Sequence, residues 1–136
     1  MYTVKEISKE MGMSEHTIRY YTDRGLVPNV KRDKNGHRVF DEESVNWLTS
    51  VKCLRECGMS LDSIKEYEEL SILGDSTVEA RYEIIAKQRD AAVEQLEEAK
   101  RRLEYLNKKV GFYIDIIDKK KPDLMNPNNW PVKPGN

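Results

Sequence analysis

Thr17–Phe40 reads TIRYYTDRGLVPNVKRDKNGHRVF. Six basic residues (Arg19, Arg24, Lys31, Arg32, Lys34, Arg38) stand against two acids (Asp23, Asp33), a local balance of +4. The whole chain has a formal net charge of −1, which leaves −5 for everything outside this window. Two adjacent tyrosines and an Asn-Gly pair thread the positive charge. Asn35-Gly36 lies between the short extended segments Val30–Arg32 and His37–Phe40, and predicts a hairpin because its turn needs positive φ. Pro28 disfavours helix at Val27, so the helix that begins the window has ended before the hairpin starts.

Upstream, Thr3-Val4-Lys5-Glu6 has the spacing of a capping box. It opens a short helix with Val4, Ile7 and Met11 inward and Gly12 as its stop. Ser14 caps a second helix, Glu15 to Arg24, closed by Gly25. Two short helices joined only by Gly12-Met13-Ser14 predict a helix-turn-helix. On the second helix Ile18 points inward, whereas Arg19, Tyr20 and Tyr21 are expected to reach outward beside Thr17 and Arg24. A guanidinium and two phenols suit phosphates and base edges. The hairpin projects Lys31, Arg32, Lys34, His37 and Arg38 as a basic wing, so the positive window reads as a DNA-contacting edge.

Downstream, Asp41 caps a third helix to about Cys57, stopped by Gly58, and Ser60 caps a fourth to about Leu73. Gly74-Asp75 breaks the chain. Ser76-Thr77-Val78-Glu79 is a second capping-box pattern. Behind it, steps of four and three give Val78, Tyr82, Ile85, Arg89, Ala92, Leu96, Ala99, Leu103, Leu106, Val110, Tyr113 and Ile117. Only Arg89 is neither apolar nor tyrosine. A two-residue seam held over five heptads predicts a coiled coil. A helix over about 77–120 would be roughly 65 Å long, too long to pack on its own head alone, and a second copy of the chain is the expected partner. After Lys121, Pro122, Pro127, Pro131 and Pro134 predict a tail without regular structure.

At 136 residues the chain has room for one small domain and an extension. Residues 1–40 carry +3 and the remainder −4, the pattern of a polyanion-binding head on an acidic body. No leading apolar segment and no run of eighteen apolar residues is present, which predicts neither export nor a membrane span. Two cysteines four residues apart are too few for a disulfide framework and point to the cytoplasm. An enzyme with a thiol nucleophile would need a base near Cys53, yet His16 and His37 both lie in the head, so no enzymatic activity is expected. The same distribution leaves no N/S cluster for a metal, and no cofactor is expected.

IRYYTDRGLVP, the wing KRDKNGHRVFDEE and a helix leading into a long coil resemble the MerR family of bacterial transcription regulators. The resemblance covers the head from Val4 to about Leu73 and most of the coil. It implies a mainly α fold: a winged helix-turn-helix with a small β-hairpin wing, then a long helix forming an antiparallel coiled-coil homodimer. It further implies that each head reads half of a near-palindromic operator in double-stranded promoter DNA. The dimer then distorts over-spaced promoter elements so that RNA polymerase contacts both. Carried over by position, Arg19, Tyr20 and Tyr21 match the family's recognition-helix contacts, and Lys31, Arg32, Gly36 and Arg38 its wing. Thr17 and His37 join them as expected DNA contacts. The domains are then 1–74 for DNA binding, 75–120 for dimerisation and 121–136 as a flexible tail.

DEESVNWLTSVKCLRECGMS looks like the thiol- and aldehyde-responsive branch of that family, whose single sensing cysteine falls at Cys53; Cys57 departs from the one-cysteine pattern. Metal-sensing members place cysteines just past the coil, and this chain has none after Cys57. Cys53, Cys57, Asn46 and Ser50 share one flank of the third helix, and Lys52 and Arg55 would lower the Cys53 pKa if they bend toward it. Other readings stay open: both thiols buried and inert, a non-covalent small-molecule effector or none, or a coiled-coil adaptor whose head binds protein.

Overall fold

The computed structural model describes residues 1–132. The chain divides into two compact units, Met1–Ala92 and the part from Val93 onward. In the first, β1 (Tyr2–Thr3), α1 (Val4–Met11) and α2 (Glu15–Asp23) precede β2 (Lys31–Arg32), β3 (Arg38–Phe40), α3 (Glu42–Glu56) and α4 (Leu61–Leu73). A single helix, α5 (Val78–Lys119), then runs from the first unit into the second. Among the described residues no helix is long and apolar enough to cross a membrane.

The helices begin where short polar side chains can take up the free N–H groups of a first turn. Thr3 and Glu6 form the reciprocal capping box of α1. Ser14 accepts the Thr17 N–H at 3.0 Å, Asp41 the Ser44 N–H at 2.8 Å and Ser60 the Ser63 N–H at 3.1 Å. Each such cap contributes about 1 kcal/mol. Gly12 closes α1 in the left-handed region, with φ +68°, where a side chain would be strained. The expected Ser76 box does not form. Asp75–Thr77 makes a 3-10 turn instead. Thr77 Oγ1 donates to the Leu70 and Gly74 carbonyls, and Arg81 Nε donates to Thr77 Oγ1 at 3.0 Å. The carbonyls left over at the end of α4 are therefore met by the Thr77 hydroxyl, and the chain enters α5 through this turn.

The wing is a three-stranded antiparallel sheet of order β1-β3-β2. Lys31 pairs with Val39 and Arg32 with Arg38. The third strand is the amino terminus itself, with Tyr2 opposite Phe40 and Thr3 opposite Val39. The turn spans Asp33–Gly36. Gly36 N–H donates to Asp33 O at 3.0 Å and Asp33 N–H to His37 O at 2.8 Å. Gly36 has positive φ, +80°, whereas Asn35 does not. Only the last residue of the turn visits the left-handed region, so glycine is needed at 36 alone.

The core of this unit collects one or two side chains from nearly every element. Phe40, Ile7, Ile18, Leu48 and Ile64 have no exposed surface, and Leu26, Val51 and Met59 almost none. Burying each large side chain of this kind contributes about 1.5–3 kcal/mol. Along α5, by contrast, no residue is buried. Beyond it, Pro127–Asn129 forms one 3-10 turn, and Trp130 Nε1 donates to Leu124 O at 2.6 Å. The tail thus holds one ordered turn where none was expected, because Asn126 caps it by accepting the Asn128 N–H at 3.0 Å. The expected tail also includes 133–136, which lie outside the described residues.

Candidate nucleic-acid interface

On α2, Ile18 and Tyr21 are three residues apart and therefore share a face. Both are buried, Tyr21 with 8% of its surface exposed. The expectation that Tyr21 reaches outward is overturned: its ring belongs to the core that fixes α2. Arg19 and Tyr20 face solvent, with half of the Arg19 side chain and 41% of Tyr20 exposed. Arg19 Nη2 lies 3.3 Å from Glu15 Oε1 one turn earlier. The Arg24 guanidinium carbon lies 5.8 Å from the centre of the Tyr20 ring, and Arg24 Nη1 donates to the Tyr20 hydroxyl at 3.4 Å. This stacked pair presents a phenol edge and a cation together. Thr17 is committed to the helix start, its hydroxyl 2.7 Å from Ser14 Oγ.

The wing is held in shape by its own charges. Asp33 accepts the N–H groups of His37 and Asn35, both at 2.9 Å. Its carboxyl is held below the usual range chiefly by the His37 N–H. Arg32 Nη1 donates to Gly36 O at 2.7 Å across the turn. Lys31, Lys34 and His37 are exposed. Arg38 behaves differently from the other wing cations. Only 17% of its side chain is exposed, and Nη2 lies 2.6 Å from Asp23 Oδ1 at the end of α2. It ties the wing to the helix carrying Arg19 and Tyr20.

Between these elements lies a concavity of about 520 Å³. Arg19 and Glu15 of α2, Arg32, His37 and Arg38 of the wing and Lys5 of α1 line it. The structure therefore gathers five of the expected contacts, Arg19, Arg32, Gly36, His37 and Arg38, around one concavity. It adds Lys5, whose place beside the wing follows from β1 pairing with β3. The signal for Lys5 was present in the excess of cations over residues 1–40, but not the pairing that brings it there.

Cys53 and Cys57 are both free and exposed, which overturns the reading that the two thiols are buried. The condition that Lys52 and Arg55 bend toward Cys53 is not met. Lys52 Nζ donates to Met11 O at 2.9 Å, and Arg55 Nη1 donates to Met59 O at 2.9 Å. Each cation satisfies a carbonyl near the end of a helix, where such groups lack partners. Near Cys57, Gln88 of α5 donates to its carbonyl at 3.3 Å.

A second feature of the same unit escaped the sequence reading. Glu68 of α4 is 94% buried, accepts a hydrogen bond from Trp47 Nε1 through Oε2, and among the described residues has no partner for Oε1. Burial pushes its carboxyl up to about 7. Its spacing of four from Ile64 placed it on the inward stripe of α4, which is the signal that could have found it.

The sequence pattern of the MerR HTH family regulatory proteins matches residues 2–70. An uncharacterized HTH-type transcriptional regulator of Haemophilus influenzae is 39% identical over 112 residues, spanning 82% of this chain and 83% of that protein. The HTH-type transcriptional regulator AdhR of Bacillus subtilis is 41% identical over 91 residues, spanning 67% of this chain and 65% of AdhR. Among solved structures, HiNmlR, a MerR family regulator lacking the sensor domain and bound to promoter DNA, superposes with a TM-score of 0.77 at 35% identity. The match covers 96% of each chain.

Proposed function

Because the chain belongs to the MerR family of helix-turn-helix regulatory proteins and is a DNA-binding transcription regulator, we propose that it works as a cytoplasmic homodimer whose two heads grip and distort promoter DNA for RNA polymerase. The observation that carries the reading is the basic rim around α2 and the wing. There Arg19, Arg32 and His37 stand exposed around one concavity, Tyr20 is exposed next to Arg19 on α2, and Lys31 and Lys34 extend the charge. In this reading residues 1–74 bind DNA, 75–120 dimerise as an antiparallel coiled coil and 121–136 form a tail. Arg19 and Tyr20 read base edges, Lys31, Lys34 and Arg32 meet phosphate, and Tyr21 supports them from within. Support for the dimer comes from the seam of α5, where Leu96, Leu103, Leu106 and Val110 each expose more than half of their surface in the single chain. Such a row of leucine and valine wants a partner.

Titrating a fluorescent promoter fragment at several salt concentrations tests the DNA reading. Arg19→Ala is expected to change the preference among sequences, and Lys31→Ala to weaken binding to all of them and lower the salt slope by about one. Binding that ignores salt would reject the interface.

The effector reading is that electrophiles or oxidants act through Cys53. Its exposure on α3 supports it. If the partner's coil packs on this flank of small side chains in the dimer, an adduct there would overpack the contact at a cost of about 1–3 kcal/mol. That is enough to shift how the two heads are held by roughly tenfold. Promoter transcription with and without an aldehyde is expected to lose its response in Cys53→Ser and keep it in Cys57→Ser. A Cys53→Ser protein that still responds removes the thiol from the mechanism.

A further inference from the structure

The cleft between α3 and α4 contains an acid without a counterpart. Its volume is about 340 Å³, within the range of small-ligand sites. Trp47 and Tyr67 supply aromatic walls, Asn46 and Ser71 polar edges, and Glu43 and Glu68 two carboxyl groups. Among the described residues no Lys, Arg or His lines it. Glu68 is the telling residue: it is 94% buried, its Oε2 is bonded by the Trp47 indole, and its Oε1 has no donor among the described residues. A carboxylate can accept about four hydrogen bonds, and burying one with a free oxygen is costly unless a donor meets it.

We propose that this cleft binds a small organic cation, an ammonium or guanidinium carrying an apolar group, with the charged nitrogen on Glu68 and the apolar part against Trp47 and Tyr67. The donor set selects this class. An anion would face two carboxyl groups, whereas a neutral apolar molecule would leave Oε1 unmet. A cation donates to Oε1, offsets the buried charge and lies against aromatic faces, which attract positive charge. The site needs neither Cys53 nor the DNA-facing rim, so it stands or falls independently of both.

The test uses the full chain with Trp130→Phe, which leaves Trp47 as the only tryptophan. Benzylamine is titrated while the Trp47 emission and its indole N–H resonance are followed. Benzyl alcohol, of the same shape and uncharged, is the control. The expected result is a saturable Trp47 response to benzylamine, about tenfold weaker for benzyl alcohol and for benzylamine on Glu68→Gln. The response should strengthen from pH 6 to pH 8 as Glu68 ionises while the amine stays charged. No saturable change up to about 10 mM benzylamine, or an equal response to benzyl alcohol, overturns the proposal. So does a Trp47 signal that varies with protein concentration and ignores benzylamine, since the cation would then be a Lys or Arg of a second copy. Should Glu68→Gln fail to fold, the contrast between benzylamine and benzyl alcohol and the pH trend still decide.

Discussion

The head and the long helix treat the same kind of side chain in opposite ways. Up to Ile64 the large apolar residues close on one another, and Phe40, Ile7, Ile18, Leu48 and Ile64 have no exposed surface. From Val78 onward the apolar residues form a periodic row, yet Leu96, Leu103 and Ile117 keep 55%, 58% and 72% of their surface exposed. One region completes its core within a single chain, whereas the other holds half of one. The head is therefore expected to fold without the coil's partner, and the coil to depend on it. Strong periodicity in a sequence does not say that its partner lies in the same molecule.

The largest effect expected from this contrast is on the coil. Leu96→Asp with Leu103→Asp places charges in the proposed seam, and an unpaired buried charge costs about 3–5 kcal/mol. Sedimentation should then find monomers whose head retains its near-ultraviolet signal. A dimer that survives both changes would move the seam elsewhere. The converse test is Phe40→Ala, which empties the centre of the head at a cost of about 3–5 kcal/mol. Because Phe40 also pairs with Tyr2 across β3 and β1, DNA binding should fail while the coil remains helical by circular dichroism. A coil that melts together with the head would mean that the two regions are one cooperative unit.

Glu68 sharpens the comparison, because it is the place where the head's own packing is incomplete. Its carboxyl titrates at about 7 against an ordinary 4.5. The native state therefore holds a proton that the unfolded chain has already released. The contribution of Glu68 to stability is therefore fully present below pH 4.5, falls as pH rises toward 7 and is level above that. Gln takes no such proton, so Glu68→Gln should stabilise the head by up to about 3 kcal/mol at pH 8 and change little at pH 5. Urea unfolding at the two pH values measures this. An equal effect at both would show that the carboxyl charge is not the source.

What the sequence made legible was local. Thr3, Ser14, Asp41 and Ser60 sit within three residues of the N–H groups they receive, so spacing alone located four helix starts. Gly12 announced its turn in the same way. What stayed hidden depended on distant partners. The pairing of Tyr2 with Phe40 joins residues far apart through a strand only two residues long, too short for alternation to register. Tyr21 was misjudged because its chemistry suited DNA, although its spacing from Ile18 set it inward. Lys52 and Arg55 turned from Cys53 toward carbonyls at Met11 and Met59, a choice fixed by the ends of neighbouring helices. In the site, charge marked the wing cations as a group, but could not tell which of them was already paired.

Arg38 is that paired cation, and the smallest predicted effect turns on it. Its contact with Asp23, with only 17% of its side chain exposed, makes it a tie between β3 and α2, whereas Lys31 and Lys34 are free to meet phosphate. A partly exposed ion pair of this kind contributes about 0.2–1 kcal/mol, so Arg38→Ala should lower head stability by no more than that. Its effect on DNA then depends on which role dominates. As a tie, Arg38 acts by holding the wing against the recognition helix. Asp23→Asn should then weaken DNA binding about as much as Arg38→Ala, and both should leave the salt slope unchanged. As a phosphate contact, Arg38 would leave Asp23 on binding. Arg38→Ala would then lower the salt slope by about one, and Asp23→Asn would strengthen binding by freeing the guanidinium. The geometry favours the tie, because releasing Arg38 would expose a largely buried side chain and leave Asp23 unpaired at the end of α2. Binding isotherms for the two variants across a salt series separate the roles: parallel, weakened lines support the tie, and opposite changes reject it.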